Sequence, residues 1–322
     1  MTDRPRVTVA IPLHRSAAFV DNVLACIRAM PETGVEILVS DRHLADDALD
    51  RIARATVGDP RVRCLAERDG LDWVSHINHL VRTAQGDFWR LSPHDDYVPP
   101  GSLESLLDAM EHDPDLLVAY PATYAETLEG ERLPNLDVTK PHPESTDRWT
   151  YDHFLNLYRG GYFQGAFKGL VRLAPVRQHN LYIRPNVGLI DSERLWLFGL
   201  ALAGRFRFVP DSTYVKRYHD TSTHRQWRRR PLHGLGAIWV MNAYVRALHP
   251  PGRTRRLVLI HLLLNNLPQV KGLSSRWISP FPWPLNDRRL RHIPLVGWRL
   301  LRLADRLVEL QDQTYACAGS RP

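Results

Sequence analysis

Asp87–Pro100 reads DFWRLSPHDDYVPP, and the rest of the chain is arranged around it. Phe88–Leu91 has the look of a short buried strand. It runs into Ser92-Pro93-His94 and then two adjacent carboxylates, Asp95 and Asp96. Pro99-Pro100 stop the strand and open a helix near Leu103, because proline lacks the ladder N–H yet suits a first helical turn. Paired acids at a strand end suit a divalent cation, since hard cations take carboxylate oxygens and a strand end lies where a ligand can enter. The same residues also make an ordinary solvated turn.

Upstream, Arg6–Pro12 (RVTVAIP) is a β-branched run closed by proline, which reads as a strand. Ala18–Met30 places Phe19, Val23, Leu24 and Ile27 on one helical face. Val35–Ser40 reads as a second strand ending at Asp41, Ala45–Ala55 as a helix, Arg61–Leu65 as a third strand and Asp72–Thr83 as a helix. Downstream, Leu103–Glu111 reads as a helix and Leu116–Tyr120 as a strand. Continuous apolar strands alternating with helices predict an α/β chain with a mostly parallel sheet flanked by helices. Ligands then bind beyond the carboxyl ends of the strands, where Pro12–Arg15, Asp41 and Asp95-Asp96 all fall. Residues 121–185, rich in Pro, Tyr and His, carry no clear period, and Gly160–Gly165 reads as a loop over the site or a plain connection. Pattern returns at Asp191–Gly204, a buried helix capped by Asp191 or Ser192, then at strands Phe206–Pro210 and Tyr214–Tyr218.

Composition narrows the class. The 322 residues are 44% hydrophobic and 24% charged, an ordinary globular balance. Three scattered cysteines fit a reducing compartment and exclude a disulfide framework or a cysteine zinc site. No apolar h-region opens the chain and no run is long enough to span a bilayer, so a cytoplasmic protein without a signal peptide is expected. No GxGxxG follows the first strand and no GxxxxGKS/T occurs, which weighs against a dinucleotide dehydrogenase or a P-loop enzyme. The net charge of +7 conceals an asymmetry: residues 225–322 carry 17 Lys/Arg against 4 Asp/Glu, while the remainder is acidic.

Taken together these stretches resemble the family 2 glycosyltransferases. The resemblance rests on Ile11-Pro12-Leu13-His14-Arg15, on Ser40-Asp41, on Gly70–Asn78 (GLDWVSHIN), on Gly86-Asp87-Phe88 leading to the acidic turn, and on Ser192–Gly204 with Arg217-Tyr218-His219 downstream. It covers roughly residues 6–120 and 186–223. It implies the Rossmann-like GT-A fold in residues 1–224, followed by a basic, mainly helical region in residues 225–322. It also implies an inverting transfer from a UDP-, GDP- or dTDP-sugar to a glycan or lipid-linked hydroxyl, with Mn2+ or Mg2+. Carried over by position, Asp41 meets the nucleobase, and Pro12, His14, Arg15, Asn78 and His94 line the nucleotide-sugar site. Asp95, with Asp96 and His219, meets the metal.

An acid at the start of the 192–204 helix is implied as general base. Counting back from Leu200-Ala201-Leu202 puts Glu193 in register with the family's aspartate, and Asp191 lies two residues earlier. A helix N-terminus is expected to keep such a base ionised. The chain departs from the family at Pro93, where an acid is usual, and this admits a second reading: an inactive relative that keeps the fold as a binding protein. The basic tail includes an amphipathic stretch, Leu295–Leu310. Its apolar face either packs on protein or lies against an anionic membrane from the cytoplasmic side. Nucleic acid is disfavoured, since the charge comes without a recognised motif.

Overall fold

The computed structural model describes residues 4–66, 71–139, 163–220 and 233–248. The chain divides into two compact units, Met1–Arg228 and Arg229–Pro322. The first holds a seven-stranded sheet in the order β3-β2-β1-β4-β6-β5-β7. Its strands are β1 Val7–Leu13, β2 Val35–Asp41, β3 Val62–Ala66, β4 Phe88–Leu91, β5 Leu116–Thr127, β6 Leu170–Arg172 and β7 Arg205–Tyr218. The helices are α1 Val20–Ala29, α2 Ala48–Ala55, α3 Trp73–Thr83, α4 Ser102–Glu111, α5 Phe163–Ala166, α6 Leu173–Gln178 and α7 Ser192–Ala203. In the second unit the described element is α8, His233–Ala247, which lies within the region 225–322 expected to be mainly helical.

All pairings are parallel except those of β6, which runs antiparallel to both β4 and β5. The expected mostly parallel sheet is therefore present, with one short reversed strand that lay in the unpatterned 121–185 stretch. β1 and β2 are mostly apolar because both faces are covered, and nearly every residue in them is buried, the polar Thr8, Glu36, Ser40 and Asp41 included. On one face, Val9, Ile11, Ile37 and Val39 pack with Val23 and Ile27 of α1, Ile52 of α2 and Leu106 of α4. On the other, Trp89 meets Trp196 of α7 edge-on, with ring centroids 5.9 Å apart.

Connectivity places the site. From β1 to β3 the chain steps outward in one direction, then α3 carries it back to β4 on the far side of β1. Crossovers are right-handed, so α1 and α2 cover one face and α3 the other. The loops after β1 and β4 therefore part at their carboxyl ends and leave a crevice, the switch point where such sheets bind ligands. Gly86 makes the tight entry to β4: a Cβ there stands 2.6 Å from the Thr8 nitrogen and 2.8 Å from the Val7 carbonyl carbon.

Two strands differ from their sequence reading for one reason. Tyr120 was expected to end β5 and Pro210 to divide β7, yet both strands run on. The register jumps from Pro121 opposite Val209 to Ala122 opposite Thr213, so Pro210–Ser212 form a bulge. A proline's missing N–H costs nothing where the ladder is already interrupted. The bulge is fastened to α4: the Ser212 hydroxyl donates to the Ser102 carbonyl (2.8 Å) and the Ser102 hydroxyl to the Thr213 carbonyl (2.6 Å). The amphipathic tail stretch 295–310, like Gly70 and Gly160–Tyr162, lies outside the described residues.

Candidate active site

Asp95 and Asp96 follow β4 at the switch point and have separate environments. Asp95 Oδ2 accepts a hydrogen bond from Nε2 of His219, just past β7, at 2.9 Å. Burial pushes the Asp95 carboxyl up. The nearby His94, the His219 hydrogen bond and Lys168 outweigh this and hold it below the usual aspartate value. The Phe19 ring lies against both His94 (5.0 Å) and His219 (5.4 Å) and closes the pair from the α1 side.

Asp96 is buried, and both of its oxygens are taken. Oδ1 accepts from the Arg217 backbone N–H (3.0 Å), and Oδ2 accepts from the Tyr214 hydroxyl (2.5 Å) and lies 3.3 Å from Lys168 Nζ. The sequence expectation gave Asp96 to the metal. The structure turns its carboxylate inward, where it binds β7 to the turn and neutralises the buried Lys168. Burial lowers the Lys168 ammonium and raises the Tyr214 hydroxyl, the latter well above its ordinary value. Beneath them Arg90 is wholly buried, and burial lowers it to about 10. Its Nε donates to the Lys168 carbonyl, while Nη1 and Nη2 have no hydrogen-bond partner.

At the end of β2, Asp41 is fully buried. Its Oδ1 accepts from the backbone N–H groups of His43 and Leu44, both at 2.9 Å, a local turn that aims the carboxylate. Among the described residues its Oδ2 has no hydrogen-bond partner. A buried carboxylate oxygen left unpaired is costly and rare in folded proteins. The His14 and His43 rings meet edge-on at 5.1 Å close by, and burial lowers the His14 pKa, with His43 and Arg15 adding to it. Arg15 and Leu44 both adopt left-handed backbone conformations (φ 53 and 45), uncommon for such residues and frequent at ligand sites. Pro12 contributes its carbonyl oxygen, 3.3 Å from His94 Nδ1.

Asn78 was expected at the nucleotide. Its side chain is engaged on both ends by Ile183 instead, donating to its carbonyl (2.7 Å) and accepting from its N–H (2.9 Å). It ties α3 to the segment leading into α7. At the start of α7, Asp191 has a left-handed backbone (φ 57), makes no side-chain cap, and lies 3.7 Å from Arg194. Glu193, in the first turn of the helix, has a buried Oε2 without a hydrogen-bond partner among the described residues. The helix terminus was expected to keep it ionised, but burial dominates and raises its pKa.

Lys168, Tyr214, Asn22 and His43 were not read from the sequence as site residues. Lys168 lies in the unpatterned segment, and Asn22 is a polar residue on a helix judged by its apolar face. Here the Arg217 guanidinium reaches Glu126 (2.9 Å) and Asn22 (2.6 Å). Among the described residues no cluster of three or more His, Cys, Asp or Glu forms a self-contained metal site. Asp95 and His219 offer one carboxylate oxygen and one imidazole nitrogen. That set leaves a cation's remaining positions to phosphate oxygens and water, and its imidazole nitrogen suits a transition ion such as Mn2+ better than the oxygen-seeking Mg2+.

Comparison with known proteins agrees with this geometry. No curated protein matches the sequence. Among solved structures, residues 1–349 of S. aureus TarS in complex with UDP-GlcNAc superpose with a TM-score of 0.61 at 14% identity, covering 93% of this chain and 79% of that one. A mannosyltransferase from Pyrobaculum calidifontis, PcManGT, in complex with GDP-Man and Mn2+, gives 0.51 at 15% identity, covering 95% and 86%. At such identities the likeness is one of fold, and the fold is GT-A. The model of the family described as Glycosyl transferase family 2 matches residues 8–172, half of the chain and all of the site as far as Lys168. The chain belongs to glycosyl transferase family 2.

Proposed function

We propose that this glycosyltransferase moves a sugar from a nucleoside-diphosphate sugar to a hydroxyl of a glycan or lipid-linked acceptor, with inversion at the anomeric carbon and with help from Mn2+ or Mg2+. The observation that carries the reading is the Asp95–His219 pair, 2.9 Å apart at the switch point of the sheet. The unpartnered Asp41 Oδ2 supports it as the acceptor for a nucleobase N–H. The relatives' ligands, UDP-GlcNAc and GDP-Man with Mn2+, belong to the same donor class.

Asp95 and His219 hold the cation in this reading, which supplies Lewis-acid stabilisation to the leaving diphosphate. Asp96 holds the turn and the end of β7 in register. His14, Arg15, His94 and the Pro12 backbone line the donor side of the crevice. Glu193 takes the proton from the acceptor hydroxyl as that oxygen attacks the anomeric carbon, and a single displacement inverts the centre. Asp191 is the second candidate for that role. The basic segment 225–322 is the part available to an anionic acceptor or membrane surface. No helix among the described residues is long and apolar enough to cross a membrane.

The test is thermal unfolding of the full chain with UDP, GDP, dTDP or CMP, each with and without Mn2+. A ligand of the folded state raises the melting temperature by mass action. One nucleotide is expected to stabilise the protein only with metal, and Asp95→Ala is expected to abolish that shift. If none of the four stabilises it under either condition, the reading gives way to that of an inactive relative.

A further inference from the structure

The Asp95 turn and the His219 strand meet through a residue that belongs to neither. Asn22 lies on α1, and its Nδ2 donates to the carbonyl oxygens of both His94 (2.8 Å) and Asp96 (2.7 Å). The two amide hydrogens thus hold the carbonyls of the two residues that flank Asp95. Its Oδ1 accepts from Arg217 Nη1 at 2.6 Å, and Arg217 Nε reaches Glu126 of β5 at 2.9 Å. The Arg217 backbone N–H in turn donates to Asp96 Oδ1, two residues before His219. One carboxamide therefore fixes the backbone that presents Asp95 and, through Arg217, the strand end that presents His219.

We propose that Asn22 is the positioning residue of the Asp95–His219 pair, setting the separation at which the two side chains meet a cation. The proposal rests on the reading above that these two residues hold it. All of Asn22's side-chain bonding capacity that the two carbonyls and Arg217 can use is used, and only a carboxamide serves all three. Its two hydrogens satisfy two acceptors while its oxygen faces a guanidinium, whereas an aspartate reverses the first contact and an apolar residue removes both. Residues that orient ligands without touching the metal typically change metal affinity by 10–100-fold when removed.

Two variants separate the contacts. Asn22→Leu keeps the volume and removes every hydrogen bond. Asn22→Asp keeps the acceptor for Arg217 and removes both donors. Ile52→Val, in the core under α2, serves as a control for a loss of stability alone. In the full chain the Mn2+ concentration giving half-maximal stabilisation by UDP or GDP, whichever stabilises the wild type, is expected to rise about tenfold or more for both Asn22 variants. It is expected not to move for Ile52→Val. A midpoint unchanged in Asn22→Asp overturns the proposal, and so does an equal shift in the control.

A second readout uses no ligand. Amide hydrogen exchange at Asp96 and Arg217 is expected to quicken at least tenfold in Asn22→Leu, while the amides of β1 and β2 keep their wild-type rates. Unchanged exchange at those two amides overturns the clamp. Should no nucleotide stabilise the wild type, the functional reading has failed by itself, and the exchange result alone then decides whether Asn22 holds the turn.

Discussion

At the level of single residues, the two acids at the start of α7 differ in what surrounds them. Asp191 lies near Arg194, while Glu193 turns a buried and unpartnered Oε2 inward, and burial raises its pKa. A base with a raised pKa accepts a proton more readily near neutrality, which suits general-base work, but it is also lost sooner as the solution is acidified. The acid limb of kcat/KM should therefore lie above the ordinary glutamate range, with activity falling as pH drops through the raised value. Glu193→Gln should lower kcat by about 10²–10⁴-fold and remove that limb, with the nucleotide-induced rise in Tm unchanged. If Asp191→Asn does this and Glu193→Gln does not, the base is Asp191. Asp96 shows the opposite use of a carboxylate. Beside Asp95 in sequence, it is sealed among Tyr214, Lys168 and the Arg217 N–H, so two adjacent acids have different surroundings: Asp95 meets His219, and Asp96 anchors β7 to the turn.

Among the elements, α3 shows when local sequence suffices. Asp72 caps it, accepting from the N–H groups of Val74 and Ser75 at 2.9 and 3.0 Å, and the apolar positions Val74, Ile77, Leu80 and Val81 recur at helical spacing and are all buried. Cap and period agree, so the helix was legible. Asp72→Ala should cost about 1 kcal/mol, read as a lowered urea midpoint with an unchanged slope, because two helix N–H groups lose their acceptor. A cost below a few tenths would mean that packing alone sets the start of α3. β6 was not legible for the converse reason. It is three residues long, and it is a strand only because β4 and β5 flank it. The full lengths of β5 and β7 were hidden by Pro121 and Pro210, which normally end strands, and the bulge that accommodates both exists only in the pair. α2 begins at Ala48 rather than Ala45, because Asp46 turns the chain first, accepting from the Ala48 and Ala17 N–H groups.

For the molecule as a whole, the alternation of strands and helices revealed the sheet and which strand ends face the crevice, because that information repeats along the chain. The pairings inside the crevice do not repeat. Asp95 and His219 were brought together only by the family resemblance, while Asn22 with Arg217 and Ser40 with His76 are joined by the fold, and no spacing predicts them. The last of these governs how the protein responds to acid. His76 on α3 is buried, and its Nε2 lies 2.9 Å from Ser40 Oγ at the end of β2. Burial, with Arg42 and neighbouring histidines adding to it, lowers its pKa from 6.5 to about 4. The folded chain therefore keeps His76 neutral at a pH where the unfolded chain protonates it. Stability from this residue is present above pH 6.5 and is lost as pH falls from there towards about 4, since the unfolded state binds the extra proton. Between pH 7 and pH 5 the loss amounts to about 2 kcal/mol, at 1.36 kcal/mol per pH unit over most of that interval. His76→Gln keeps a hydrogen-bonding side chain towards Ser40 and removes the titration. Urea unfolding of wild type and variant at both pH values should show the wild type losing about 2 kcal/mol more than the variant on acidification, with all other histidines common to both. Equal losses in the two proteins would show that His76 is not held neutral by the fold, and would shift the acid sensitivity to the histidines that line the crevice, His14 first among them.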